Sequence, residues 1–449
     1  MSIAVVILAA GKGTRMVSDL PKALHKVAHA TLLEHAMRAA AILEPETTVV
    51  VVGHEGEKVA SEAHRINQEV IIAEQKEQLG TAHAVSMAKD PLSGFKGDIL
   101  VLYADTPFIS KATIETIRDA RTISDLVVLG FEAKDPARYG RLITHGTQLE
   151  RIVEFKDTSE KERAITLCNS GVMAGSAPLL FSLIEEIDNT NASGEYYLTD
   201  CVAYAREMGK TTHLVICDEK ETLGINSRAD LAMAETAFQE RARQMHMENG
   251  VSLLAPETVY FSFDTVIGRD SIVEQHVIFG PEAIIESAAH IKAFCHIEGA
   301  HVSEGAIIGP FARLRPGAEL GEKVRVGNFV EIKNAVIADG AKINHLSYIG
   351  DAEVGARANI GAGCVTCNYD GVMKHKTMIG EAAFIGSNTM MVAPVNIGKD
   401  SMTASGSVVT KNVPEGALAL ARAPQENKIG MARKLIDILK KRKQKKDLG

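Results

Sequence analysis

At 449 residues the chain is too long for one ordinary core, and two or three domains are expected. It is 46% apolar and 24% charged, with no Trp and 5% aromatic residues, so its cores are built from Val, Ile, Leu and Ala. A formal net charge of −8 argues against nonspecific nucleic-acid binding by the whole surface, and the six scattered cysteines (Cys168, Cys201, Cys217, Cys295, Cys364 and Cys367) suit free thiols in a reducing compartment.

The apolar run at 3–10 lacks a basic leader and is too short to span a bilayer, so it reads as a first strand. No stretch approaches 18 consecutive apolar residues, and a cytoplasmic protein without stable membrane insertion is expected. The run leads into "LAAGKGTRM" (8–16), a glycine turn suited to holding phosphate. It is not a Walker A loop, because Lys12 lies between the glycines, nor a Rossmann turn, because Met16 stands where the third glycine belongs. Its N–H groups, Lys12 and Arg15, followed by Lys22, are able to neutralise a di- or triphosphate.

Further strands are expected at 48–53, 70–73, 98–105 and 125–133, with helical spacing between them, as at 31–43. That alternation predicts an α/β domain over 1–228 with a mainly parallel, Rossmann-like mixed sheet and a ligand beyond the carboxyl ends of the strands. Gln75 and Gln78 offer amides for a base edge, and Gly80-Thr81 permit close backbone approach. Asp105 ends a strand, where a carboxylate caps a turn or holds a metal; beside a phosphate loop, Mg²⁺ is the better fit. Neither a Ser-His-Asp nor a Cys-His arrangement is evident, so direct displacement by the substrate is the simpler mechanism.

Residues 229–249 are rich in Ala, Glu and Arg without Gly or Pro, and read as a helical linker ended by Gly250. Beyond it an aliphatic residue recurs every sixth position: Ile267, Val273, Phe279, Ile285, Ile291, Ile297. The register slips by one to Val302, again to Ile337 and again to Val354, then resumes after a loop from Ile379 to Val409. This hexapeptide period predicts a parallel β-helix within 250–449, with three hexads to a coil. "CNYDG" (367–371) breaks the period and suggests a site. Cys364 and Cys367 lack the further ligands of a zinc site. Acyl transfer from a thioester to an amine needs a base and oxyanion donors. His345 and Tyr348 are polar residues among aliphatic hexads, serving that chemistry or the structure. Arg313, Arg315 and Lys333 either clamp a sugar phosphate or decorate a surface. The Lys-rich tail at 433–449 reads as a solvated helix, or as a contact for nucleotide or coenzyme phosphates.

"LAAGKGTRM", "PK" (21–22), "EQLGTAHA" (77–84), "YAD" (103–105), "YGR" (139–141), "IVEFKD" (152–157) and "NSG" (169–171) occur in that order and resemble the sugar-1-phosphate nucleotidylyltransferases. With the β-helix attached, nearly the whole chain resembles the bacterial bifunctional N-acetylglucosamine-1-phosphate uridylyltransferase / glucosamine-1-phosphate acetyltransferases. Ala104 departs from the usual Gly of "YGD", and Ser405 from the Ala often found there. The resemblance implies that Leu8, Ala9, Ala10, Gly11, Gln75, Gln78, Gly80, Thr81 and Tyr103 hold UTP. It gives phosphates to Arg15 and Lys22, and Mg²⁺ to Asp105 and Asn226. Gly140, Glu154, Asn169 and 195–200 would line the sugar pocket, although Glu154 and Lys156 also suit a surface ion pair. In the β-helix it implies His345 as general base, with Glu331 close enough to orient it. Arg315, Lys333, Tyr348, Asn359 and Asn368 would bind glucosamine 1-phosphate. Ala362, Asn368, Tyr369, Ser387, Ser405, Arg422 and Lys428 would hold acetyl-CoA. A left-handed coil and a homotrimer are also implied. The competing expectations are a nucleotidylyltransferase for another sugar with a regulatory β-helix, and a noncatalytic scaffold.

Overall fold

The computed structural model describes residues 2–145 and 148–447; positions 1, 146, 147, 448 and 449, the last two in the basic tail, lie outside the described residues. The chain divides into two compact units. One runs to Met245 and takes in Phe261–Phe263, and the other comprises His246–Tyr260 and the chain from Asp264 onward.

The first unit is built on β1 (Ile3–Ala9), β2 (Thr47–Val52), β3 (Ile71–Glu74), β4 (Asp98–Tyr103), β5 (Leu126–Glu132), β6 (Leu167–Ser176) and β7 (Thr212–Cys217). Their order across the sheet is β7-β5-β6-β4-β1-β2-β3. β1 pairs in parallel with β2 and β4, β2 with β3, and β5 with β7. β6 runs antiparallel to β4 and β5, so the sheet is mixed. Ala4 and Val6 of β1 pack into one core, Val5 and Ile7 into another on the opposite face. Burial on both faces is why "IAVVI" shows no polar alternation. Helix α1 (Leu32–Ala41) starts where the Thr31 side chain accepts from the Glu34 N–H, a cap worth about 1 kcal/mol. It buries Leu33, Ala36, Met37 and Ala40, at helical spacing, against the sheet.

Helix α2 (Arg228–Glu248) matches the expected linker to within one residue at each end. It is not free-standing: Leu231, Ala234 and Phe238 recur at helical spacing and pack in a cluster with Phe108 and Phe263. Gln239 donates to the Phe261 carbonyl at 2.7 Å and accepts from its N–H at 2.8 Å. Most of α2 therefore belongs to the first unit.

The second unit is a parallel β-helix. Every repeated residue from Ile267 to Val409 is buried, Thr403 included. Strands pair with those one coil onward, eighteen residues along for Val266 and Ile284, and seventeen where the hexad slips, as for Ala283 and Ala300. One coil is longer: Ala352 pairs with Thr377, twenty-five residues on, although Tyr348 pairs with Val365, seventeen on. The surplus is a loop spanning "NYDGVMKHK". Asp370 anchors it, accepting from the N–H groups of Val372 and Met373 at 2.8 and 2.7 Å and from His375 Nε2 at 2.7 Å. These bonds, His375 first, hold the Asp370 carboxyl well below the usual range.

Candidate active sites

In the first unit the carboxyl ends of β1 and β4 lie side by side, with the Ala104 N–H donating to the Leu8 carbonyl at 3.1 Å. A cleft of about 220 Å³ opens there, whose lining includes Leu8, Ala9, Ala10, Gly11, Lys22, Gln75, Gln78, Gly80, Thr81, Tyr103 and Asp105, and Glu195 of the 195–200 segment, all expected from the sequence. Gln75 is buried; its Nε2 lies 3.1 Å from the Gly80 carbonyl and 3.0 Å from His83 Nδ1. The nitrogen end of that amide fixes the loop, which leaves the oxygen end for a ligand. Gly80 has φ +120°, and a Cβ there would sit 2.4 Å from the Tyr196 carbonyl oxygen, so only glycine fits. Lys12 and Arg15 are exposed and stand outside the cleft lining. The cause is local: Gly13 takes a left-handed φ of 59°, and the short turn Thr14–Met16 buries Met16 while turning Arg15 outward.

The Ile225 N–H donates to the Asp105 carbonyl at 2.9 Å, which brings "INSR" (225–228) beside the end of β4. The Lys22 ammonium forms an ion pair with the Asp105 carboxylate and donates to Asn226 Oδ1 at 3.1 Å. Two hard oxygens thus converge on one cation. Among the described residues no cluster of three or more His, Cys, Asp or Glu could hold a metal. Mg²⁺ needs no such cage, because it keeps waters and completes its shell with substrate phosphates. A lone carboxylate and amide oxygen, already gathered around a cation, fit that habit.

The sugar-side residues also meet. The Asn169 N–H donates to the Gly140 carbonyl at 2.9 Å, and a Cβ on Gly140 would lie 3.5 Å from both Glu154 carboxylate oxygens. Thr199 Oγ1 donates to Glu154 Oε1 at 3.3 Å. Burial, with Asp200, Asp157 and Glu195 nearby, pushes the Glu154 carboxyl up despite that bond. Burial and the charges of Asp188 and Asp157 push Asp200 up to about 6. Lys156 donates to Ser193 at 3.0 Å, so the alternative of a Glu154–Lys156 surface pair is not what forms. Sequence reasoning missed Arg141. It is 2% exposed, and its guanidinium donates to the carbonyls of Pro136, Ala137, Tyr139 and Arg163, clamping the segment that carries Gly140. Its place after Gly140 in "YGR" was the available signal.

In the β-helix, one corner collects much of the expected acetyl-transfer set. The Leu346 N–H donates to the Asn328 carbonyl, Gly363 to His345, Asn388 to Ala362 and Gly406 to Ser387, at 3.0, 3.2, 2.7 and 2.8 Å. Each donor has positive φ, the conformation that turns the coil. His345, Ala362 and Ser387 therefore stand in one column, and Arg422 Nη1 donates to the Ser405 carbonyl at 2.8 Å. A second group surrounds Tyr348. Arg315 Nη1 donates to Glu331 Oε1 at 2.7 Å, and Glu331 pairs in register with Tyr348. Asn368 Nδ2 lies 3.5 Å from the Tyr348 hydroxyl and also bonds Asp351. Lys333 is pushed down by the neighbouring Lys374 ammonium. Asn359 pairs in register with Lys342 on the strand that carries His345. Tyr369 and Lys428 are exposed; Tyr369 donates to the Gly371 carbonyl at 2.6 Å, and Lys428 lies 3.6 Å from Glu426.

Glu331, expected close to His345, makes no hydrogen bond to it. His345 Nδ1 lies 2.9 Å from Asn328 Oδ1, and the Glu331 carboxylate is engaged by Arg315. The reason is register: Asn328 is the direct strand partner of His345, whereas Glu331 is the partner of Tyr348. Subtracting one seventeen-residue coil from 345 would have found Asn328. Burial pushes the thiols of Cys364 and Cys367 up, in keeping with unreactive free cysteines.

Residues 5–174 match the model of the MobA-like NTP transferase domain. Over its whole length the chain is similar to proteins named "Bifunctional protein GlmU". It is 62% identical over 449 residues to that of Ruegeria sp. (strain TM1040), with 100% of both chains covered. It is 60% identical over 449 residues to that of Roseobacter denitrificans (strain ATCC 33942 / OCh 114), again covering 100% of both. For Jannaschia sp. (strain CCS1) the identity is 55% over 433 residues, covering 96% of this chain and 95% of the relative. Cleft, β-helix and end-to-end identity agree: the chain belongs to the family of bifunctional GlmU proteins.

Proposed function

We propose that the chain makes UDP-N-acetylglucosamine in two steps on its two units. The β-helix acetylates glucosamine 1-phosphate with acetyl-CoA, and the α/β unit joins the product to UTP. The observation that carries this reading is the coexistence, in one chain, of a cleft lined by Lys22 and Asp105, with Asn226 bonded to Lys22, and a solvent-facing His345 held by Asn328.

In the first step the amine of the sugar attacks the thioester carbonyl. A C–N bond forms, the C–S bond breaks, coenzyme A leaves as thiol, and His345 takes the ammonium proton. Arg315, Lys333, Tyr348, Asn359 and Asn368 hold the sugar phosphate. Ala362, Asn368, Tyr369, Ser387, Ser405, Arg422 and Lys428 hold the coenzyme. In the second step a phosphate oxygen of N-acetylglucosamine 1-phosphate attacks the α-phosphorus of UTP in line, and pyrophosphate leaves. Both reactants are anions, so Lys22, Arg15 and the loop N–H groups offset their repulsion. Mg²⁺, held by Asp105 and Asn226, supplies charge neutralisation when bound. Leu8–Gly11, Gln75, Gln78, Gly80, Thr81 and Tyr103 position uridine; Gly140, Glu154 and Asn169 position the sugar. The protein works in the cytoplasm as a homotrimer.

Mixing the protein with glucosamine 1-phosphate, acetyl-CoA, UTP and Mg²⁺, and following free thiol and pyrophosphate separately, tests the reading. Both products are expected. Pyrophosphate formed from another sugar phosphate, without thiol, would assign the β-helix a regulatory role; neither product would indicate a scaffold.

A further inference from the structure

We propose that the C-terminal helix α3 (Met431–Asp447) docks the protein onto an anionic lipid surface. No residue assigned above to either transfer reaction lies in this helix. It follows Gly430, whose φ of +78° separates it from the preceding segment, and none of its side chains is buried. At about 100° per residue, the apolar side chains of 431–439 fall within an arc of roughly 160°. Met431, Leu435, Ile436, Ile438 and Leu439 make that arc, and Leu435 and Leu439 are 53% and 61% exposed. Arg433, Lys434, Asp437, Lys440 and Lys441 lie on the other side. Arg442, Lys443, Lys445 and Lys446 then circle the last turns.

Eight basic side chains in α3 face only Asp437 and Asp447, a surplus of six positive charges on a chain whose formal net charge is −8. This concentration decides the occupant. A second copy of the helix would bring a second surplus of the same sign against the first. A nucleic acid would satisfy the charges but leave the apolar arc in water. An anionic bilayer takes both: headgroups meet the lysines while the arc enters the boundary with the acyl chains. No helix among the described residues is long and apolar enough to cross a membrane, so α3 lies on the surface rather than through it.

Co-sedimentation of the full-length protein with vesicles tests this. Phosphatidylcholine vesicles containing about 30% phosphatidylglycerol should bind it at least tenfold more strongly than phosphatidylcholine alone, in roughly 0.1 M salt. Leu435→Asp with Leu439→Asp should lower that binding about tenfold, and Lys440→Gln with Lys441→Gln should lower it several-fold. Thiol and pyrophosphate release should be unchanged in these variants, which reports intact folding. Failure of the wild type to sediment with anionic vesicles would overturn the proposal. So would unchanged binding by the leucine variant, or retention on a short DNA duplex without binding to vesicles.

Discussion

The two units assemble functional groups in opposite ways. In the α/β unit, residues 8, 22, 75 and 105 line one cleft, and 226 meets Lys22 beside it, because the sheet order sets β1 beside β4 and because Ile225 bonds the Asp105 backbone. In the β-helix, groups meet by arithmetic: a residue's neighbour is the one seventeen or eighteen positions away. A fold that gathers distant segments makes a charged cleft, whereas a solenoid presents a ruled surface on which side chains are aligned and open to solvent.

The largest test of that separation is His345→Ala. A positioned general base contributes about 10²–10⁴-fold, so thiol release should fall by that order while pyrophosphate release from added N-acetylglucosamine 1-phosphate stays within about twofold. Equal loss of both in a folded protein would break the two-site picture. Asp105→Ala is the mirror experiment: pyrophosphate release should drop about 10²-fold, with its Mg²⁺ dependence shifted to higher concentration, and thiol release should not change. Asn328→Ala removes the hydrogen bond to His345 and should lower kcat for acetyl transfer about tenfold, near the net value of one good hydrogen bond. KM for acetyl-CoA should hold, and the pH profile of the reaction should shift. Glu331→Gln should instead raise KM for glucosamine 1-phosphate, because Glu331 contacts Arg315.

The smallest effect concerns stability. Asp200 is pushed up to about 6 in the folded protein, so the folded state holds its proton more tightly than the unfolded chain does. Its contribution to stability is present below the ordinary aspartate range and is lost as pH rises towards 6. Asp200→Asn stays neutral, so it should raise Tm at pH 7.5 and change it little at pH 4.5, as followed by thermal denaturation.

The contrast also explains what could be read in advance. The hexad residues are legible because each faces the interior without exception, and a period of six survives its slips. The cleft was legible from its motifs, but the outward turn of Arg15 was not, because it depends on Met16 being buried and Gly13 being left-handed. A mixed sheet was expected, but not that β6 is its antiparallel strand, because a doubly covered strand reads the same in either direction. Asn328 escaped notice for a different reason. Glu331 came from the resemblance, whereas the strand partner of His345 lies one full coil back. The packing of α2 on the first unit was not legible, because its apolar stripe is short and diluted by Glu and Arg.

The long coil between Ala352 and Thr377 has a consequence for how such proteins change over time. The strands on either side of its loop remain in parallel register although the chain between them is seven or eight residues longer than usual. Length at a corner is therefore decoupled from the stacking that holds the solenoid together. An insertion at that corner meets little resistance from the core, whereas one inside a hexad would dislocate every face downstream. Corners are where a repetitive scaffold can acquire novelty without renegotiating its interior, and the loop anchored by Asp370 is an instance already in place.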